Sequence, residues 1–243
     1  MSNRTAVVTG AARRIGAAIT CELHRLGMDV IIHYHHSAAA AECLAQQLNA
    51  QRPDSAHAMA ADLTSTDSCQ SLIDNACAIN NRLDVLVNNA AVFYPTPLME
   101  LNDDVWNECI QVNLKAPLFL ARAAVPGLTR TSGCIINIAD IHAERPLKNY
   151  SLYSISKAGM IMLTRSLARE LGPMIRVNAI APGAILWPDV LGDETRKKII
   201  ARTALKRPGT VEDITSAVRY LVEDANYTTG EVLVIDGGRT LFS

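Results

Sequence analysis

The sequence predicts an α/β protein, one domain over residues 1–243 built on a seven-stranded parallel sheet with helices on both faces. Three observations carry this. Seven short β-branched runs alternate with segments long enough to be helices, the pattern of repeated strand–helix–strand units. The runs are apolar at consecutive positions, as strands buried on both sides require. No repeat, low-complexity tract or Gly/Ser/Pro linker interrupts the alternation.

The first run, TAVVT, leads straight into Thr9-Gly10-Ala11-Ala12-Arg13-Arg14-Ile15-Gly16 and a helix. Gly10 permits a tight turn and Gly16 close packing of helix on strand, leaving backbone N–H groups at the helix start free for a pyrophosphate. The second run, DVIIHY, ends in His33-Tyr34-His35-His36-Ser37, about 20 residues beyond Gly16, where an NAD site would place an acid for the ribose hydroxyls. No acid stands there. Arg13, His35, His36 and Ser37 offer donors to a 2′-phosphate instead, so NADPH is the expected cofactor. No Cys, Asp or Glu lies near these histidines in sequence to complete a metal site, and His33 reads as a solvated strand-end residue.

AHAMA is followed by Ala61-Asp62-Leu63, DVLVN by Asn89-Ala90-Ala91, and CIINIA by Asp140. Tyr153 and Lys157 then fall on one face of a helix that continues as MIMLTRSLARELG. An ammonium beside the phenol is expected to lower its pKa from about 10, making it a proton donor and acceptor near neutrality. After IRVNAI comes an irregular stretch at about 182–207, containing Leu186-Trp187-Pro188-Asp189, and then the last helix and EVLVID. A loop there lies beyond the carboxyl ends of the strands, where such sheets bind ligands, and is the expected substrate loop.

Composition narrows the remaining classes. Lys plus Arg total 23 against 24 Asp plus Glu, so there is no basic field for a nucleic-acid backbone. The six scattered cysteines form no C-x-x-C pair and read as small buried hydrophobes of a reducing compartment. No signal peptide precedes TAVVT, and no apolar stretch approaches the roughly 18 residues of a membrane span, so a cytoplasmic protein is expected.

The elements TGAARRIG, ADL, NNAA, Asn113 in QVNL, YSISK, Pro182-Gly183 and the terminal IDGG stand in the order and spacing of the short-chain dehydrogenase/reductase family, which the chain resembles over essentially its whole length. The resemblance implies a Rossmann fold, NAD(P)-dependent hydride transfer and a homotetramer. It implies that Asp62 meets adenine, that Ile15, Leu63, Asn89, Ala90, Ala91, Pro182 and Gly183 line the cofactor, and that Tyr153, Lys157 and Asn113 carry a proton relay. The apolar Met160, Ile161 and Leu163 exceed one sheet-facing stripe and point to the same oligomer.

Two departures narrow the resemblance. Thirteen residues before the tyrosine, where the family carries its serine, this chain has Asp140, and the middle glycine of the first loop is Arg14. With NNAAVFYPTPL and HYHHSAAAA, these resemble the pteridine reductases. That subgroup implies catalysis by Asp140, Tyr153 and Lys157, stacking of Phe93 on a pterin, and Arg14 reaching cofactor phosphate and pterin. Specificity is expected around Leu186 and Trp187. The substrates implied are dihydropterins, with dihydrofolate and fully oxidised pterins as further candidates. Reduction of a ketone or 3-ketoacyl thioester is the alternative, which Asp140 opposes. A silent NADPH-binding regulator is a third, which the intact tyrosine and lysine oppose.

Overall fold

A computed structural model describes residues 4–187 and 192–242. Pro188 and Asp189 of the expected substrate loop lie outside these. The seven expected strands form where the apolar runs stand: β1 (Thr5–Val8), β2 (Asp29–Tyr34), β3 (Ala56–Ala60), β4 (Val85–Asn88), β5 (Cys134–Ile138), β6 (Arg176–Pro182) and β7 (Val232–Ile235). All pair in parallel, in the order β3-β2-β1-β4-β5-β6-β7. The order reverses between β1 and β4, and a crevice opens beyond the carboxyl ends of strands on either side of such a reversal.

Alternate residues of each central strand serve the two faces. Ala6, Val8, Val30, Ile32, Val85 and Ile136 pack on helices α1 (Arg14–Arg25), α2 (Ala38–Gln51) and α8 (Val211–Glu223). Val7, Ile31, Leu86, Ile135 and Val177 pack on α3 (Thr66–Asn80), α5 (Ala116–Thr131) and α6 (Ser151–Leu171). A short helix α4 (Asp103–Ile110) precedes α5 and runs into it through a π-helical turn at Gln111–Lys115.

Three expectations are corrected here. The stretch at 182–207 is not wholly irregular: it contains α7 (Asp193–Ala201), whose start carries Asp193 and Glu194 and whose exposed face carries the i,i+3 pairs Asp193–Arg196 and Glu194–Lys197. Local charge pairing, not an apolar stripe, marks that helix. The cysteines are all free, but only Cys69, Cys109 and Cys134 are buried, while Cys21 and Cys43 are exposed. Met160 and Ile161 are buried within the chain and Leu163 is packed on its core, so intrachain packing accounts for the residues from which an oligomer was inferred. No helix among the described residues is long and apolar enough to cross a membrane.

Candidate active site

A cleft of about 860 Å³ lies over the strand carboxyl ends at the β1/β4 reversal. Gly10, at φ +60, turns the chain off β1 into α1. A Cβ on Gly16 would stand 2.2 Å from the Gly10 carbonyl oxygen, so only glycine lets the helix start this close to the loop. The first turn of α1 has no acidic residue and no side-chain cap, which leaves its N–H groups directed at the cleft. This is a phosphate cradle in shape and polarity, and a dinucleotide fits it.

The loop is braced from behind. Thr9 Oγ1 accepts from the Asn89 and Ala90 amides at 2.9 and 3.0 Å, and Asn89 Nδ2 donates to the Thr9 and Gly10 carbonyls at 2.8 and 3.1 Å. His33 is buried, not solvated as expected: its Nδ1 accepts from the Gly10 amide at 3.1 Å, and Nε2 lies 3.1 Å from the Ala61 carbonyl. Because Nδ1 accepts, Nε2 must carry the proton and donate to Ala61. Burial, abetted by the charge of His35, pushes its pKa down to about 4 and keeps the ring neutral. The sequence signal was its place directly after the apolar run Val30-Ile31-Ile32 of a strand buried on both faces.

Arg14 occupies the left-handed region at φ +55, where the family pattern carries glycine. Its Nη2 donates across the cleft to the Leu186 carbonyl at 3.4 Å. Left-handed backbone costs a non-glycine residue about 1 kcal/mol. Arg14→Gly is therefore expected to leave the melting temperature level or slightly higher while kcat/KM falls about tenfold, through loss of a charged donor to cofactor and substrate. Equal activity in the two proteins would show that the arginine does nothing at the cleft.

At the end of β2, Arg13, His35 and His36 are exposed along the cleft, with the two imidazoles 3.6 Å apart between centroids. Ser37 stands at the N-cap of α2 without a capping side-chain bond. Asp62, beyond β3, is taken up by Thr64, whose amide and hydroxyl donate to Oδ1 at 2.9 and 2.8 Å; these bonds, and the nearby His35 and His36, hold its pKa below the usual carboxylate range. Ile15, Leu63, Asn89, Ala90, Ala91, Pro182, Gly183, Leu186 and Trp187 also lie on the cleft wall.

On the far side, α6 begins at Ser151 and presents Tyr153 in its first turn to Asp140, which follows β5. The Tyr153 hydroxyl donates to Asp140 Oδ2 at 2.8 Å, and Asp140 Oδ1 accepts from the His142 amide at 2.8 Å. Lys157 is 2% exposed and donates to the Ile138 carbonyl at 2.7 Å, with Nζ 5.7 Å from the Tyr153 ring centre. Burial pushes its pKa down to about 8, against the opposing pull of Asp140. The expected lowering of the tyrosine is overturned: burial first, then the charge and hydrogen bond of Asp140, hold Tyr153 well above 10. Tyr153 is thus a phenol hydrogen-bonded to a carboxylate, which Lys157, bonded to the Ile138 carbonyl, does not outweigh.

Phe93 is 46% exposed at the cleft, stacked on Tyr150 at 4.7 Å and edge-on to Tyr153 at 4.7 Å. Asn113, in the π-helical turn, is fully buried behind it. Its Oδ1 accepts from the Val92 amide at 2.8 Å, and Nδ2 donates to the Val92 carbonyl and Ser156 Oγ, both at 3.1 Å. The Asn113 side chain therefore holds the backbone just before Phe93. Arg239, beyond β7, also lines the cleft. Strand polarity could have found it, since every parallel strand here ends at the same edge.

A phosphate cradle at the strand reversal, facing a buried tyrosine and lysine one helical turn apart, defines a nicotinamide-dependent oxidoreductase. Comparison with known proteins gives the family. A model described as enoyl-(acyl carrier protein) reductase matches residues 10–240. Pteridine reductase 1 of Leishmania tarentolae is 37% identical over 278 residues, covering 97% of this chain and 96% of the relative. A 3-oxoacyl-(acyl-carrier-protein) reductase of Staphylococcus aureus (strain N315) is 35% identical over 240 residues, with 97% of each covered. Glucose 1-dehydrogenase 2 of Bacillus subtilis (strain 168) is 33% identical over 251 residues, covering 100% of this chain and 96% of the relative. The chain belongs to the short-chain dehydrogenase/reductase family.

Proposed function

We propose that the protein is an NADPH-dependent pteridine reductase that converts dihydropterins to their tetrahydro forms. The observation that carries this is the 2.8 Å hydrogen bond from Tyr153 to the Asp140 carboxylate. A ketone reductase needs neutral donors around an oxygen that gains negative charge, and a carboxylate at that place opposes the charge. A ring C=N bond makes a different demand: its nitrogen must receive a proton, and an acid–base pair suits that step.

In this reading the hydride for the carbon of the C=N bond would come from a dinucleotide held by the Gly10–Gly16 cradle. The linked Tyr153 and Asp140 deliver one proton to the nitrogen, giving CH–NH, and the pair is reprotonated from solvent through the open cleft. Lys157 places a positive charge behind the tyrosine and steadies the proton-depleted pair. Phe93 holds the flat bicycle by stacking, with Tyr150 and the Asn113-held backbone fixing the ring. Arg13, His35, His36 and Ser37 receive the 2′-phosphate, and the adjacent Asp62 meets adenine. Leu186 and Trp187 close over the substrate. The homotetramer of this reading rests on Ile155 and Met162, 53% and 59% exposed and seven residues apart on α6, not on the buried Met160.

Asp140→Ser, which restores the family's usual residue, tests this reading with dihydrobiopterin and an acetoacetyl thioester as parallel substrates. Dihydropterin turnover with NADPH is expected to fall at least about tenfold while thioester turnover holds or rises, and NADH is expected to serve poorly throughout. Unchanged dihydropterin turnover in the folded variant removes the reason to prefer a pteridine over a ketone.

A further inference from the structure

A second hollow of about 330 Å³ adjoins the cleft, walled by Thr195, Lys198, Ile199, Arg202 and Arg239. Thr195, Ile199 and Arg239 belong to both walls, so the hollow opens from the cleft. Residues 195, 198, 199 and 202 recur at helical spacing and bring one face of α7 to it. The cations of α7 divide by position. Arg196 and Lys197 pair with Asp193 and Glu194. Lys198, Arg202 and Arg239 have no carboxylate within ion-pair distance among the described residues.

Lys198 and Arg202 are exposed and Arg239 is half-buried, and the backbone after β7 brings Arg239 to the same hollow. After β7 the chain turns through Gly237 and Gly238, at φ +63 and +79. Asp236 fixes the turn by accepting from the Gly238 and Thr240 amides, both at 2.7 Å, so its carboxylate is engaged. A Cβ on Gly237 would meet Thr203 Cγ2 at 2.8 Å, and one on Gly238 would meet Ala204 Cβ at 2.8 Å. The Leu205 amide donates to the Gly237 carbonyl at 3.0 Å. The turn that aims Arg239 is thereby pressed onto the segment just after Arg202. Arg202 and half-buried Arg239 repel each other there, with Asp140 and Asp236 near enough to act through space only. A favourable helix C-terminus explains cations at 198 and 202, but not a third arriving from another element.

We propose that Lys198, Arg202 and Arg239 form an anion subsite of the active-site cleft, which takes a carboxylate or phosphate carried on the distal end of the substrate's side chain. The inference rests on the pteridine reading for its substrates and adds that acidic-tailed pterins are preferred over neutral ones. A planar guanidinium pair with an ammonium suits a dianion or two carboxylates, and the same three charges give a neutral polyol tail nothing comparable.

The test uses the full-length protein with NADPH and three probes: 7,8-dihydrofolate, 7,8-dihydroneopterin 3′-phosphate and uncharged 7,8-dihydroneopterin. The wild type is expected to show kcat/KM at least about tenfold higher for one or both acidic probes, mainly through KM. The larger preference identifies carboxylate or phosphate. In Lys198→Gln/Arg202→Gln, and in the wild type at about 0.5 M NaCl, that ratio is expected to collapse toward unity. A ratio near one in the wild type, or one untouched by the double substitution, overturns the subsite. Binding of p-aminobenzoylglutamate and of its dimethyl ester to the NADPH-loaded protein separates the two readings. Absence of turnover with every pterin, with the diacid still bound about tenfold tighter than the ester in wild type alone, overturns the pteridine reading and sustains the subsite. Equal binding of acid and ester overturns the subsite whatever the turnover.

Discussion

Tyr153→Phe is expected to lower kcat for dihydropterin by about 10²- to 10⁴-fold, the range that positioned acid–base groups contribute. The substitution keeps the ring that meets Phe93 edge-on and removes only the hydroxyl that donates to Asp140. Dinucleotide affinity, set mainly by the cradle across the cleft, is expected to change little, so the loss falls on kcat. Because Tyr153 is held above its ordinary pKa, the wild-type phenol stays protonated through neutrality, and its loss deletes a donor. Stopped-flow measurement of a single turnover reads the step directly. A variant within about threefold of wild type would assign the proton to Asp140 alone.

Lys157→Met is expected to abolish most activity and to raise stability. Lys157 is the largest side chain in the fully buried interior, and its charge has the Ile138 carbonyl as its hydrogen-bond acceptor. A fall from an ordinary lysine value to about 8 corresponds to a folding penalty on the order of 3 kcal/mol at neutral pH. Methionine fills similar space without charge, while the orphaned carbonyl costs about 1 kcal/mol or more. The balance predicts a melting temperature higher by a few degrees at pH 7. The pH dependence has a definite sign. The folded pKa lies below the unfolded one, so between them the unfolded chain binds more protons and wild-type stability gains as pH rises from about 8 toward the ordinary lysine value. The advantage of the variant should shrink across that window, and wild-type turnover should decline as Lys157 discharges. A variant less stable than wild type at pH 7 would show that the through-space attraction of Asp140 and the Ile138 hydrogen bond outweigh the ion's desolvation.

The sheet was legible because doubly covered parallel strands must be apolar at successive positions, and VVT, VIIHY, VLVN and IINI leave little else to read. Gly10 and Gly16 were legible because close approach admits no other residue. What escaped depends on distances between segments far apart in the chain. The direction of the Tyr153 shift is set by burial and then by Asp140, which the fold brings within 2.8 Å, whereas the lysine four residues on is the neighbour that spacing reveals. Asn113 could be placed on its helix by pattern, but its grip on Val92 could not. α7 was hidden because it has no buried residue in its span and thus no periodic apolar signal.

The buried imidazole of His33 has a consequence for the timing of cofactor capture. Fixing a backbone residue costs about 1–2 kcal/mol in conformational entropy, and a loop that orders on contact bears that cost as it binds. Here a single tautomer ties the Gly10 amide to the Ala61 carbonyl, and Asn89 and Thr9 tie the other side. The ordering is completed when the strands assemble, so encounter with the dinucleotide becomes docking onto a ready surface, limited by diffusion and orientation in place of loop rearrangement.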